Sequence, residues 1–143
     1  MQELYYIITI SSGIKTGREA AMNWKMYYDE AEKIIFIKTN GVLEIKSATL
    51  MRNEGVELIR KHNCMRCLLD HRDISEDALA TMDIYELPKR YAELGIPRQF
   101  KIALIVPKKL ETNLKFYETV CRNNGFFASL FVDYESALDW LKK

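Results

Sequence analysis

Hydrophobic and polar positions alternate in blocks that predict strands first and helices afterwards. From Trp24 to Tyr28 and from Lys33 to Lys38 the residues favour strands, and the polar Asp29-Glu30-Ala31-Glu32 between them is short enough for a hairpin. These two strands should be antiparallel. Asn40-Gly41 tolerates positive φ, so the second strand is expected to end there. Ala48, Met51, Gly55, Leu58 and Ile59 then recur at helical spacing among charged residues, which predicts a half-buried helix ending near His62-Asn63.

Met65 to Leu69 forms a short apolar run, expected to be a buried strand, and Asp70 is its first polar successor. A stripe of Ile84, Leu87, Tyr91 and Leu94 predicts a helix stopping at Gly95, a favourable left-handed cap. Pro88 falls inside that stripe and predicts a kink, or two short helices with Pro88 in the first turn of the second. Phe100 to Val106 is a clear strand ended by Pro107. Leu110, Leu114, Tyr117 and Cys121 mark a third helix closing at Asn124-Gly125, Phe126 to Val132 the last strand, and Asp133 the N-cap of a helix whose inward face is Ala137, Leu138 and Leu141. A hairpin followed by alternating helices and strands specifies an α/β fold with right-handed parallel crossovers. Upstream, Leu4 to Ile10 has strand character and needs a partner, either the sheet edge or a second copy of the chain; residues 1–21 read as an N-terminal extension of a domain over 22–143.

In such sheets ligands gather outside the carboxyl ends of the strands. The stretch Cys67-Leu68-Leu69-Asp70-His71-Arg72-Asp73-Ile74-Ser75 is therefore where function is sought first, read as a buried strand running into a wet, charged loop.

Composition narrows the class. The 143 residues suit one domain, with 21 lysines and arginines against 20 aspartates and glutamates, so the chain lacks the basic footprint of a nucleic-acid binder. Three cysteines, an odd number, argue against a disulfide framework and for a reducing compartment. Met1-Gln2-Glu3 has no basic n-region and no apolar run is long enough to span a bilayer, which places the protein in the cytoplasm.

Candidate chemistries are thin. Cys64 and Cys67 have redox spacing, but a thioredoxin-type pair opens a helix after a strand, whereas this one enters a strand; small buried side chains are the alternative. His62 and His71 make no metal-ligand spacing with the cysteines, so no metal is expected. Asp70 sits where a receiver domain keeps its phosphoacceptor, but the earlier strand ends in Lys38-Thr39-Asn40 and supplies no acidic pair for magnesium. The structural alternative for Asp70 is a carboxylate accepting loop amides or pairing with Arg72. Phosphate-loop, dinucleotide and nucleophile-elbow motifs are missing, so no cofactor and no catalytic residue are expected. Lys108-Lys109 could meet an anion or be a solvated loop. Tyr85, Tyr91 and Phe116 could line an apolar groove or pack the core.

From about Met22 onward the chain resembles the STAS domain, the SpoIIAA-like fold of anti-sigma-factor antagonists, in its stand-alone bacterial branch. The likeness rests on Leu68-Leu69-Asp70-His71-Arg72-Asp73, on Met82 to Pro88, on Gly95-Ile96-Pro97-Arg98 leading to Lys101 to Val106, on Phe116 to Val120 with Asn123-Asn124-Gly125, and on Phe131 to Leu141. It implies a mixed, mostly parallel sheet of about five strands with four helices, the N-terminal extension being a candidate extra strand. It also implies a phosphorylatable serine in an Asp-Ser-Ser-Gly-like run. Here the comparable stretch is Ser75-Glu76-Asp77-Ala78-Leu79, where Ser75 lies several residues early and Asp77 carries less charge than a phosphate.

Two functional readings follow. One is a non-enzymatic regulatory module presenting a surface to a protein partner, drawn from Asp70, His71, Arg72, Asp73, Ser75, Asp77, Tyr85, Pro88, Lys108 and Lys109 and without the usual phosphoserine switch. The other is a small apolar-ligand or lipid-binding protein with a cavity between the sheet and the helix that contains Pro88. A homodimer through Leu4 to Ile10 is a further expectation; nucleic acid and integral membrane association are not expected.

Overall fold

A computed structural model describes the backbone of Ile7–Ile10 and residues 22–143. Strands β1 (Ile7–Ile10), β2 (Asn23–Asp29), β3 (Ile34–Leu43), β4 (Arg66–Asp77), β5 (Lys101–Ile105) and β6 (Phe127–Phe131) lie side by side in chain order. The β1–β2 and β2–β3 pairs are antiparallel and the remaining pairs parallel. Helices α1 (Ile45–His62), α2 (Thr81–Lys89) and α3 (Glu111–Asn123) join the parallel strands, a 3₁₀ turn (Lys108–Leu110) precedes α3, and α4 (Tyr134–Lys142) ends the chain. Five strands with four helices make the mixed, mostly parallel sheet expected from the sequence, and β1 is the extra strand. Within the extension, Ile7–Ile10 pairs with β2 at the sheet edge, while Leu4 to Tyr6 falls outside the described residues.

Strand order dictates the layers. Parallel strands stepping one way with right-handed crossovers put every connecting helix on one face. That face holds the larger core, in which Ile35, Ile37, Leu69, Ile102 and Leu104 meet Val56 and Ile59 of α1, Ile84 of α2, and Leu114 and Tyr117 of α3. Helix α4 has no following strand to reach and folds back over the other face, where Ala137 and Leu141 pack on Leu68, Ala103 and Ile105. Asp133 caps it as expected, accepting the Ser136 amide at 2.8 Å.

Three local expectations are corrected. Strand β3 does not end at Asn40-Gly41: Gly41 takes a φ of 96°, and the positive φ accompanies register shifts between Lys38 and Asn40 and between Gly41 and Val42 that let β3 continue to Leu43. Likewise β4 does not stop at Leu69. Beyond Asp70 it leaves β5 and stays paired with β3 as far as Asp77, anchored by the buried Ile74, so the charged loop is the solvated end of a strand. Finally, Pro88 produces no second helix; α2 ends one residue later, and Tyr91 to Gly95 continue as turns. Proline removes one donor and crowds the preceding turn, which suits a helix at its end.

Candidate functional site

The ten residues singled out from the sequence are distributed over several places, and β4 decides most of them. Successive side chains of a strand point to opposite faces. Asp70 therefore lies toward the α4 face and His71 toward the α1–α3 face. Both are buried, Asp70 at 6% and His71 at 3% exposure, which corrects the expectation of a wet tip at position 70.

Both carboxylate oxygens of Asp70 are engaged. Oδ1 accepts the Arg72 amide and Nε, each at 3.0 Å, and Oδ2 accepts Arg72 Nη2 at 2.8 Å and Lys38 Nζ at 3.4 Å. Lys38 also reaches Asp73 Oδ2 at 3.2 Å. Burial pushes the Asp70 carboxyl up, but the Arg72 hydrogen bonds and the Lys38 charge outweigh it and hold the group at about 2. The pairing with Arg72 read from the sequence is thus present, and Lys38 joins it through the β3–β4 register. Around this network the α4 face carries a groove of about 370 Å³ lined by Lys25, Tyr27, Phe36, Lys38, Leu68, Asp70 and Tyr134 among others. The Tyr27 and Phe36 rings stack at 5.3 Å.

Ser75, Asp77 and Lys109 form a second group. Lys109 Nζ donates to the Ser75 carbonyl at 3.0 Å, and the exposed Ser75 Oγ donates to the Gly41 carbonyl at 3.1 Å. Asp77 Oδ1 accepts the Leu79 amide at 3.0 Å, while Oδ2 accepts Asn113 Nδ2 at 2.8 Å. Asp77 therefore ties the end of β4 to the first turn of α3. Lys108 is exposed, Tyr85 is exposed beneath Lys89 Nζ at 4.7 Å, and Pro88 is buried.

On the opposite face His71 enters an apolar layer. Burial pushes its imidazole down to about 4, against the pull of the Asp70 charge, so the ring is neutral near pH 7. Its Nδ1 lies 2.7 Å from Thr39 Oγ1, which is also 3.2 Å from the Asp70 carbonyl. One hydroxyl has one proton, so if Thr39 donates to that carbonyl, Nδ1 donates to Thr39 and Nε2 is left as an acceptor.

Two voids adjoin there, between the sheet and the helices. The larger, about 80 Å³, is lined by Ile37, Gly55, Ile59, Ile96, Phe100 and Ile102 among others. The smaller, about 60 Å³, is lined by Leu43, Ala48, His71, Leu79, Leu87 and Leu104 among others. Met51, Arg52, Leu69, Tyr91 and Tyr117 line both. Between the two tyrosines the hydroxyls meet at 2.6 Å. Burial raises both phenols well above their ordinary value, so they are neutral donors and acceptors. Tyr91 is buried at 7% exposure, while Tyr85 and Phe116, the other residues considered for an apolar groove, are exposed. Arg52, Gly55 and Tyr117 were not among the sequence candidates; Gly55, a poor helix former kept inside a helix, was the signal available.

Cys64, Cys67 and Cys121 are free and buried, and burial pushes all three thiols up, Cys121 to about 12. High thiol pKa values suppress the thiolate that redox chemistry needs. Among the described residues no group of three His, Cys, Asp or Glu side chains could hold a metal ion, and no helix is long and apolar enough to cross a membrane.

No family model and no curated protein matches the chain. Among solved structures it is similar to an uncharacterised protein of the DUF3478 family with a SpoIIAA-like fold from Shewanella loihica PV-4. That similarity has 16% identity and a TM-score of 0.48, and covers 90% of this chain and 99% of the other.

Proposed function

We propose that the protein is a non-enzymatic, cytoplasmic, STAS-like binding domain that holds a small apolar ligand between the sheet and helices α1 to α3. The observation that carries this reading is the pair of adjoining apolar voids, about 80 and about 60 Å³, sharing Tyr91 and Tyr117. Protein interiors pack as densely as organic crystals, so apolar space left unpacked beside Tyr91 and Tyr117 is room that a small apolar ligand can fill. An engineered apolar cavity of about 150 Å³ in another protein takes up benzene, which sets the scale of the occupant. The non-enzymatic reading is supported by Asp70, whose oxygens are taken by Arg72 and Lys38, and by His71, whose partner Thr39 is fully buried with its hydroxyl also on the Asp70 carbonyl. The three free cysteines suit a reducing compartment.

Benzene titrated into the labelled protein, with methyl NMR at Met51 and Leu69, tests the cavity reading. Saturable shifts at both residues are expected; no shift at saturating benzene ends it.

A second reading is a protein partner on the α4 face, favoured by the aromatic groove of about 370 Å³ beside the exposed Arg72 and Asp73. It predicts slowed amide exchange at residues 72–76 when cell extract is added. Unchanged exchange there excludes it.

A further inference from the structure

We infer that β6 is a strand-addition edge held closed by Glu118 and Arg122 of α3, and that without this closure it pairs with β6 of a second copy of the chain. Strand β6 ends the sheet and pairs with β5 alone. The Phe127 amide donates to the Phe100 carbonyl at 3.0 Å and the Phe131 carbonyl accepts the Val106 amide at 3.1 Å, so the backbone groups of Ala128 and Leu130 face away from β5. An edge that presents such groups is a template for another strand.

Here the template is occupied from within. Glu118 Oε2 accepts the Leu130 amide at 3.0 Å, and Arg122 Nη2, one turn further along α3, donates to the Ala128 carbonyl at 3.3 Å. One carboxylate and one guanidinium thus stand where the carbonyl and amide of a neighbouring strand would. Glu118 is only 8% exposed, and its Oε1 meets Lys115 Nζ at 3.5 Å. A buried carboxylate needs such partners, so the bond to Leu130 also holds Glu118 in place. A side chain that merely satisfied a stray amide would need no apolar surroundings. Around this edge, however, Phe127 is 44% and Val132 76% exposed. Apolar side chains on an open edge favour another strand over water. A second β6 offers the same edge, and like edges pairing about a two-fold axis close on themselves as a dimer.

Hydrogen exchange and sedimentation of the full chain test the two halves separately. In the wild type the Leu130 amide should exchange at least about tenfold more slowly than the neighbouring Val132 amide. Equal rates overturn the closure. As concentration rises, Glu118→Ala should approach twice the wild-type mass, and Glu118→Gln, which keeps an acceptor for the Leu130 amide, should not. Arg122→Ala, at an exposed position, should associate more weakly than Glu118→Ala and supplies the same readout if that variant does not fold. Adding Val132→Lys to the associating variant should restore the wild-type mass, because an edge lysine opposes strand pairing. Mass that stays at the wild-type value in both alanine variants, or association that persists with Val132→Lys, overturns the pairing.

Discussion

Asp70 and His71 are adjacent in the chain, yet their side chains leave β4 through opposite faces, one into an ion network with Arg72 and Lys38, the other toward Thr39 and the apolar voids. Each group is tuned in the direction its surroundings require, and the two shifts act in different pH windows.

For His71 the folded pKa of about 4 lies below the ordinary 6.5, so the unfolded chain takes up the proton first. Its contribution to stability is complete above pH 6.5 and is lost as pH falls toward 4, by about 3 kcal/mol. Urea unfolding of the wild type at pH 7, 5 and 4 should show this decline, and His71→Gln should flatten it. A profile equally steep in the variant assigns the decline to another group.

Asp70 acts lower. With a folded value of about 2 against the ordinary 3.8, it stabilises above pH 4 and ceases to do so as pH falls through 2. Its partners Arg72 and Lys38 are about half exposed, at 44% and 52%, and solvent weakens their hold. Asp70→Asn should therefore destabilise by only about 1–2 kcal/mol at pH 7. At pH 2 the difference from wild type should shrink. A constant difference across this range contradicts the ionic origin.

Tyr91 and Tyr117 give a coupling that a double-mutant cycle reads directly. Removing one hydroxyl leaves its partner buried and unpaired, so Tyr91→Phe or Tyr117→Phe should each cost about 1–2 kcal/mol. The double variant should cost clearly less than the sum of the two. Strict additivity in denaturant unfolding means the 2.6 Å contact contributes nothing.

Gly55 offers a stability–binding trade-off. A Cβ placed there meets nothing closer than Met26 Cε at 4.0 Å, an ordinary contact, and Gly55 lines the larger void. Gly55→Ala should raise stability by about 1 kcal/mol through helix propensity while weakening benzene uptake. Stabilisation with undiminished uptake places the ligand elsewhere.

Much of the architecture was written into the local pattern. The spacing of Met51, Gly55, Leu58 and Ile59 marked α1, the Phe100 to Val106 run marked β5, and Asp133 marked the cap of α4, because periodicity and capping act between near neighbours. The pairing of Asp70 with Arg72, two residues apart, was legible for the same reason. Partners supplied by other elements were not. Lys38 reaches Asp70 through a parallel register across 32 residues, and Ile74 finds its partner Gly41 only because β3 continues beside β4. The voids belong wholly to tertiary structure: their walls come from the sheet and from three helices separated along the chain. Single-chain periodicity specifies which face of an element is apolar. How closely two such faces fit depends on the side chains of both, and that decided where space remained around Arg52 and the tyrosine pair.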